Sequence, residues 1–516
     1  MRKFITVSLF LAVGCGPATR NLAETETDLT SASARSRSLE FSSYVYVDRD
    51  TSDIELLRRV REQTQSAFGA LRTSEIAVNS RELKDVDTTT FVKEDVTVWD
   101  VDNPTAGKPM TRVRYRYKDN AVVPLSMAKR SAISLAVLGN NYRSQTARIL
   151  EECTTNDEHA QEFSSSIWYV FEPSLSDCTT AMATEQKQID DASGALTSGE
   201  VSTREVNRLY LPVTIALGPD ATNTGKSYPE YDRLYQGGVR ADALVISMVN
   251  GTIDHGDHSS LAQDSGWTEW MSQLKETFGT RSFKVSKIEP AEDLTIYKVG
   301  NKTVKAAGGF NDVLTWSLNR TTPPGVTSAE RDALLGAVAT KVARHWITFS
   351  LPVKVSVGGE PARDFSIEVL TYFGAGSDAT PHKFAIKNSD VFIYNGHSSI
   401  GYGPLDPSRF RAEDFPTSYQ MLFIDSCVSY NYYERDYISL KSGGTKNLDL
   451  ITNGLEAPSW RSGYALGRFA NLLTNGTNAS YLDLLKAASA TDALRVVDGE
   501  IGNEFTPETK SVEVTF

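Results

Sequence analysis

Val391-Phe392-Ile393-Tyr394 runs into Asn395-Gly396-His397-Ser398-Ser399, and Met421-Leu422-Phe423-Ile424 runs into Asp425-Ser426-Cys427. Each run is apolar at consecutive rather than alternate positions. That pattern suits a strand buried on both faces, as in a parallel sheet. The Gly-, Pro- and polar-rich stretch between them, including Asp406 to Asp414, is long enough for the crossover that parallel strands need. If the two runs are neighbours, their carboxyl ends lie about 4.8 Å apart. His397 and Cys427, each just past a strand end, then face each other at the edge where open α/β sheets place their sites.

A cysteine beside an imidazole is a nucleophile beside its base. Such a thiol is expected to have a depressed pKa and to attack carbonyl carbon as the thiolate. The arrangement resembles the cysteine peptidases of the caspase, legumain and gingipain group. Tyr394-Asn395-Gly396-His397-Ser398-Ser399 is most similar to the gingipain Gly-His-Gly-Ser turn, and Ser426-Cys427 stands where that family has Ala-Cys. Cys427 follows His397 by 30 residues, close to gingipain spacing. The resemblance implies a caspase-like, mostly parallel sheet flanked by helices, a polypeptide substrate and no cofactor. It also implies catalysis by His397 and Cys427, with backbone N–H groups of Ser398 and Cys427 as the oxyanion hole. Ser398 replaces the family's glycine, so its N–H serves only if its φ and ψ allow.

The chain has 516 residues, enough for two or three domains, with apolar (40 %) and charged (23 %) fractions ordinary for a globular protein. A net charge of −12 argues against a nucleic-acid partner. Residues 1–15 read as a signal peptide: Arg2 and Lys3, then apolar Phe4 to Val13, then Leu11-Ala12-Val13-Gly14-Cys15 at its end. That ending resembles a bacterial lipoprotein lipobox. The resemblance implies cleavage before Cys15, a lipid on its thiol and attachment to the cell envelope, at the outer membrane because Gly16 follows. An ordinary secretion signal lost together with Cys15 is the alternative. With Cys15 acylated and Cys427 a nucleophile, Cys153 and Cys178 remain of the four cysteines, and an exported protein can bond them.

Residues 16–39, rich in Ser, Thr, Ala and charge, read as a flexible tether. Residues 40–205 read as an α+β domain. Strands are expected at Phe41 to Val47, Phe91 to Trp99 and Thr111 to Tyr117, with a helix from a Ser52/Glu55 cap to Arg72. Helical stretches are expected over Ser126 to Glu152 and, or else a linker, over Thr179 to Thr203. Residues 206–516 carry the α/β domain. There Leu211 to Leu217 and Ala243 to Val249 read as strands, and Trp267 to Phe278 as a helix face. A Thr327/Glu330 capping box opens another helix, with Trp346 on its inner face. Val353 to Val357 and Phe365 to Phe373 form a hairpin turning at Gly358-Gly359, and Tyr481 to Val497 reads as the last helix.

Asp254-His255-Gly256-Asp257-His258 has zinc-binding chemistry and resembles part of the His-x-His-x-Asp-His motif of metallo-β-lactamase-like hydrolases. The motif's first histidine is absent, so a solvated loop competes with a metal-dependent hydrolase. The Tyr430-Asn431-Tyr432-Tyr433 cluster either lines a cleft or packs the following element. A catalytically silent relative, binding at the cell surface on the same fold, is the remaining functional class.

Overall fold

The structure, a computed structural model, describes residues 28–516 except 101, 104–105, 156–161, 195, 255–257, 320 and 375. The signal segment and Cys15 lie outside the described residues.

Two sheets organise the chain. The first contains β1 (Ala34–Asp48), β2 (Ala77–Val78), β3 (Val92–Trp99), β4 (Lys108–Pro124), β5 (Ala132–Leu138), β6 (Glu200–Ser202) and β7 (Tyr210–Asp220). Their order is β5-β7-β1-β4-β3-β6, with β2 on β4. In β1 the alternate residues Leu39, Phe41, Val45 and Val47 are buried in the core, the signature of a sheet with one covered face. The helix Asp53–Thr73 covers it. Ser52 caps that helix by accepting the Glu55 N–H, and Gly69 lies where a Cβ would meet the Phe171 carbonyl oxygen at 2.7 Å.

Three expectations change here. The tether ends early, because Leu29 is buried and Thr30 forms an antiparallel bridge to Val497. Arg37, also buried, donates to the carbonyls of Gly218, Leu217, Met127, Ala128 and Arg130, so a polar sequence is held without an apolar stripe. Ala132–Leu138 is a strand, not a helix, because it pairs residue by residue with β7. β7 in turn pairs with β1 and β5 in the first sheet, so that sheet runs past residue 205 to Asp220.

The second sheet makes the chain α/β. It contains β8 (Ala243–Asn250), β9 (Lys284–Glu289), β12 (Trp346–Val357), β13 (Arg363–Phe373), β14 (Val391–Asn395), β15 (Gln420–Asp425), β16 (Leu448–Asn453), β17 (Arg495–Asp498) and β18 (Val512–Thr515). A separate hairpin joins β10 (Ile296–Val299) to β11 (Lys302–Lys305). The order is β17-β16-β15-β14-β8-β13-β12-β18, with β9 also on β12. β13, β8, β14, β15 and β16 run parallel, while β17 and the β12 hairpin partner are antiparallel. The sheet is therefore mixed around a parallel centre. β9 pairs antiparallel with β12, itself antiparallel to β13, so β9 runs in the same direction as β8 but is separated from it by β13 and β12. The Gly358-Gly359 hairpin and the Thr327/Glu330 capping box stand where expected. Trp346 opens β12, and the stretch from Tyr481 divides into a helix, Tyr481–Ala487, and β17.

The central runs are buried on both faces. Val391, Ile393, Met421 and Phe423 join one core, with helices Ser265–Phe278 and Ser462–Leu473. Phe392, Tyr394, Leu422 and Ile424 join the other, with helix Ser429–Leu440. That second core is continuous with the interior of the first sheet. Phe68 of the first domain stacks on Tyr432 of the second at 6.2 Å.

Candidate active site

β14 and β15 are parallel neighbours, and Asn395 pairs with Asp425. His397 and Cys427 each stand two residues past that rung, so the two loops leave the sheet side by side. Asn395 also pairs with Asn250, and the loop after β8 borders the same edge.

Gly396 lets the chain turn back on itself: a Cβ there would lie 2.5 Å from the Tyr394 hydroxyl oxygen. That hydroxyl donates to the His397 carbonyl at 3.0 Å. The imidazole Nε2 is 2.7 Å from the Ile253 carbonyl oxygen. A carbonyl can only accept, so Nε2 carries a proton, and in the neutral imidazole the lone pair is on Nδ1. The Ile253 loop is fixed in its turn, because its N–H donates to Asp264 Oδ1 at 3.0 Å.

Ser398 has φ −79° and ψ −23°, ordinary values for any L-residue, so a serine here carries no backbone penalty. Its carbonyl accepts from the Tyr433 hydroxyl at 3.2 Å and from the Gly401 and Gly403 N–H groups. The unusual geometry falls on the next two residues, Ser399 at φ 49° and Ile400 at φ 46°. Val428, directly after Cys427, has φ 52°. Left-handed backbone at two β-branched residues is costly, and such residues cluster at working sites. At Val428 the strand turns sharply into helix Ser429–Leu440, and the Val428 N–H is held by the Leu455 carbonyl at 2.9 Å.

Cys427 is half-buried and carries no disulfide. The expectation of a depressed thiol pKa is not met. Burial pushes the thiol up to about 11, and the Glu456 carboxylate pushes the same way. N–H groups of Ala457 and of Cys427 itself oppose the shift only in part. Glu456 is anchored from the first domain: Arg72 forms an ion pair with it and the Tyr169 hydroxyl donates to it at 3.0 Å. The Arg72 guanidinium also lies 4.6 Å over the Tyr169 ring.

Beneath His397 and Cys427 runs a buried polar row that no local sequence pattern announces. The in-register residues Asn395, Asp425 and Asn250 continue to Asn453 and Arg495. Arg495 Nη2 donates to Asp425 Oδ1 at 2.8 Å, and Asn453 Nδ2 donates to the same oxygen at 2.7 Å. Both partners of the ion pair are almost fully buried. The sequence pattern places Arg495 in a helix, and only the pairing of β16 with β17 brings this cation to Asp425, two residues before Cys427.

Asp254, His258 and Asp264 are the described residues that bring possible metal ligands within 4.8 Å of one another; His255 and Asp257 lie outside the described residues. The carboxylates already hold the start of helix Ser265–Phe278. Asp254 accepts from the Ser265 N–H and hydroxyl, and Asp264 from the N–H groups of Gly266, Ile253 and Asp254. Tyr430, Asn431, Tyr432 and Tyr433 are all buried in helix Ser429–Leu440 and pack the core. Cys153 and Cys178 are joined by a disulfide inside the first domain. No described helix is long and apolar enough to cross a membrane. Comparison of the chain with protein-family models, with curated proteins and with solved structures found no match.

Proposed function

We propose that the chain is a cysteine endopeptidase on a caspase-like fold, acting on polypeptides through Cys427 and His397. The observation that carries this reading is the in-register adjacency of β14 and β15, together with the hydrogen bond that fixes the His397 tautomer. The orienting carbonyl leaves Nδ1 as the base. With the thiol held neutral, the resting state is a thiol beside an imidazole rather than an ion pair. As sulfur bonds to the substrate carbonyl carbon, Nδ1 takes the thiol proton. The tetrahedral oxyanion is received by N–H groups of Ser398 and Cys427. Collapse breaks the C–N bond, and the imidazolium returns its proton to the leaving amine. Water then adds to the thioester with His397 again as base, releasing the acid and restoring the thiol. This chemistry calls for no metal or organic cofactor.

A screen of fluorogenic peptides tests the reading. Cys427→Ala is expected to abolish hydrolysis and His397→Ala to lower it by orders of magnitude. Hydrolysis that survives both substitutions overturns the dyad. A second reading, a silent relative that only binds, is favoured by the raised thiol and by Glu456 beside it; it predicts no turnover in any variant. The cellular setting proposed with either reading is the bacterial envelope, through a lipid on Cys15. Cys15→Ser should then release the protein from the membrane fraction or leave it unprocessed.

A further inference from the structure

A cavity of 800 Å³ opens at the end of helix Ser265–Phe278 that lies farthest from His397. Asp264, at the start of the helix, holds the Ile253 loop and through it the imidazole. Phe278, at its other end, lines the cavity. A helix of 14 residues is about 21 Å long, so the cavity is remote from the thiol and the imidazole. Its other walls are the turn from Gly279 to Ser282, β9 and helix Phe310–Leu318. The volume is in the range of small-molecule sites.

Four phenyl rings in a row form the floor. Phe283 stacks on Phe278 at 4.8 Å, Phe278 meets Phe349 at 4.9 Å, and Phe349 meets Phe310 at 5.0 Å. The rings themselves are buried. Around them Val285, 38 % exposed, and the half-buried Ile288 and Leu318 leave apolar surface open to a ligand.

The charge on the walls is opposite to that of the chain. Lys275, Arg281 and Lys284 line the cavity in a protein of net charge −12, and none of the three forms an ion pair among the described residues. The two carboxylates on the wall are already engaged. Glu292 pairs with Lys341 at 3.0 Å, and Asp293 accepts from the Thr295 N–H and hydroxyl. Lys275 and Lys284 are exposed. Arg281 is half-buried over the Phe283 ring and donates to the Thr277 and Phe278 carbonyls and to Thr474, all of them neutral. Burial pushes its guanidinium down to about 10. Helix Phe310–Leu318 starts at the same wall, and no described side chain caps its first N–H groups. A partly desolvated cation with only neutral partners, two unpaired lysines and an uncapped helix start all favour a negative guest.

We propose that this cavity binds an amphipathic anion, a carboxylate carried on an apolar body. Lys275, Arg281 and Lys284 neutralise the carboxylate, and the body lies along Val285, Ile288 and Leu318 over the phenyl floor. The site uses neither His397 nor Cys427, so it stands whether or not the chain cuts peptides.

The test is made on the full chain with a reporter dye, anilinonaphthalene sulfonate, itself an aromatic anion. Bound dye is displaced by dodecanoate or by dodecanol, both kept below the concentrations at which they aggregate. Dodecanoate should compete about tenfold more tightly than dodecanol, and added salt should narrow the difference. Lys275→Gln combined with Lys284→Gln should weaken dodecanoate by about tenfold, leave dodecanol unchanged and leave the urea midpoint in place, because both side chains are exposed and unpaired. Leu314→Trp fills the cavity and should weaken both competitors. Equal competition by acid and alcohol overturns the proposal. So does dodecanoate binding that is indifferent to the two lysine substitutions, a result that can be read even if Leu314→Trp fails to fold.

Discussion

Alkylation of Cys427 by iodoacetamide should be slow at neutral pH and should accelerate without a plateau to pH 10. The thiol stands about two pH units above its ordinary value of 9.0. Each unit is tenfold in thiolate, so near pH 7.5 the folded chain should react about a hundredfold more slowly than the same cysteine in the unfolded chain. Burial is the first cause and Glu456 the second. Glu456→Gln removes a charge and little volume, so it should shift the pH–rate curve to lower pH and speed alkylation several-fold at fixed pH. His397→Ala should hardly change alkylation, because the raised thiol forms no thiolate–imidazolium pair at rest, while on the peptidase reading peptide hydrolysis collapses. Intact-mass measurement of labelling from pH 7 to 10, with a urea-unfolded reference, supplies the rates. A plateau below pH 8, or a fall in labelling with His397→Ala that parallels the loss of hydrolysis, would show a preformed ion pair and refute the resting state argued above.

Three further outcomes follow from the interior. Asp449 is fully buried and raised by burial to about 7 from an ordinary 3.8, although the Tyr419, Tyr481 and Asn503 donors pull it down. A carboxyl whose folded pKa is raised costs stability as pH climbs from 4 to 7, by roughly 4 kcal/mol in the limit; Asp449→Asn should flatten urea midpoints over that range, and an unchanged slope would be contrary. Arg495→Met leaves Asp425 buried without its cation and should cost about 3–5 kcal/mol, read as a lower urea midpoint at constant slope. Reduction of the disulfide, whose partners are 25 residues apart, should lower the first domain's stability by roughly 3 kcal/mol, seen as a lower melting temperature with reductant.

What could be read from the chain was what local pattern encodes. Consecutive apolar residues at Val391–Tyr394 and Met421–Ile424 announce two-sided burial, and both faces are covered as expected. The order of the two loops, and so the meeting of His397 with Cys427 at one edge, follows from that pattern. Partners distant in sequence were hidden. Ala132–Leu138 is short and apolar throughout, and only its ladder with β7 makes it a strand. Residues 28–39 look like a linker because their order comes from Arg37 bonded to five distant carbonyls rather than from an apolar stripe. The thiol's raised pKa was equally unreadable, since Glu456 and its anchors Arg72 and Tyr169 come together only through the packing of the two sheets.

The core that crosses from the first sheet to the back of the second has a consequence for inheritance and engineering. Phe392, Tyr394, Leu422 and Ile424 share their interior with Leu39, Phe68 and Val113. Residues 221–516 expressed alone would present that surface to water and should precipitate or recruit a chaperone. The half carrying His397 and Cys427 is thus not a transplantable cassette. Excision of residues 28–220 would strip Leu39, Phe68 and Val113 from the interior that covers Phe392, Tyr394, Leu422 and Ile424, on the two strands from which His397 and Cys427 emerge.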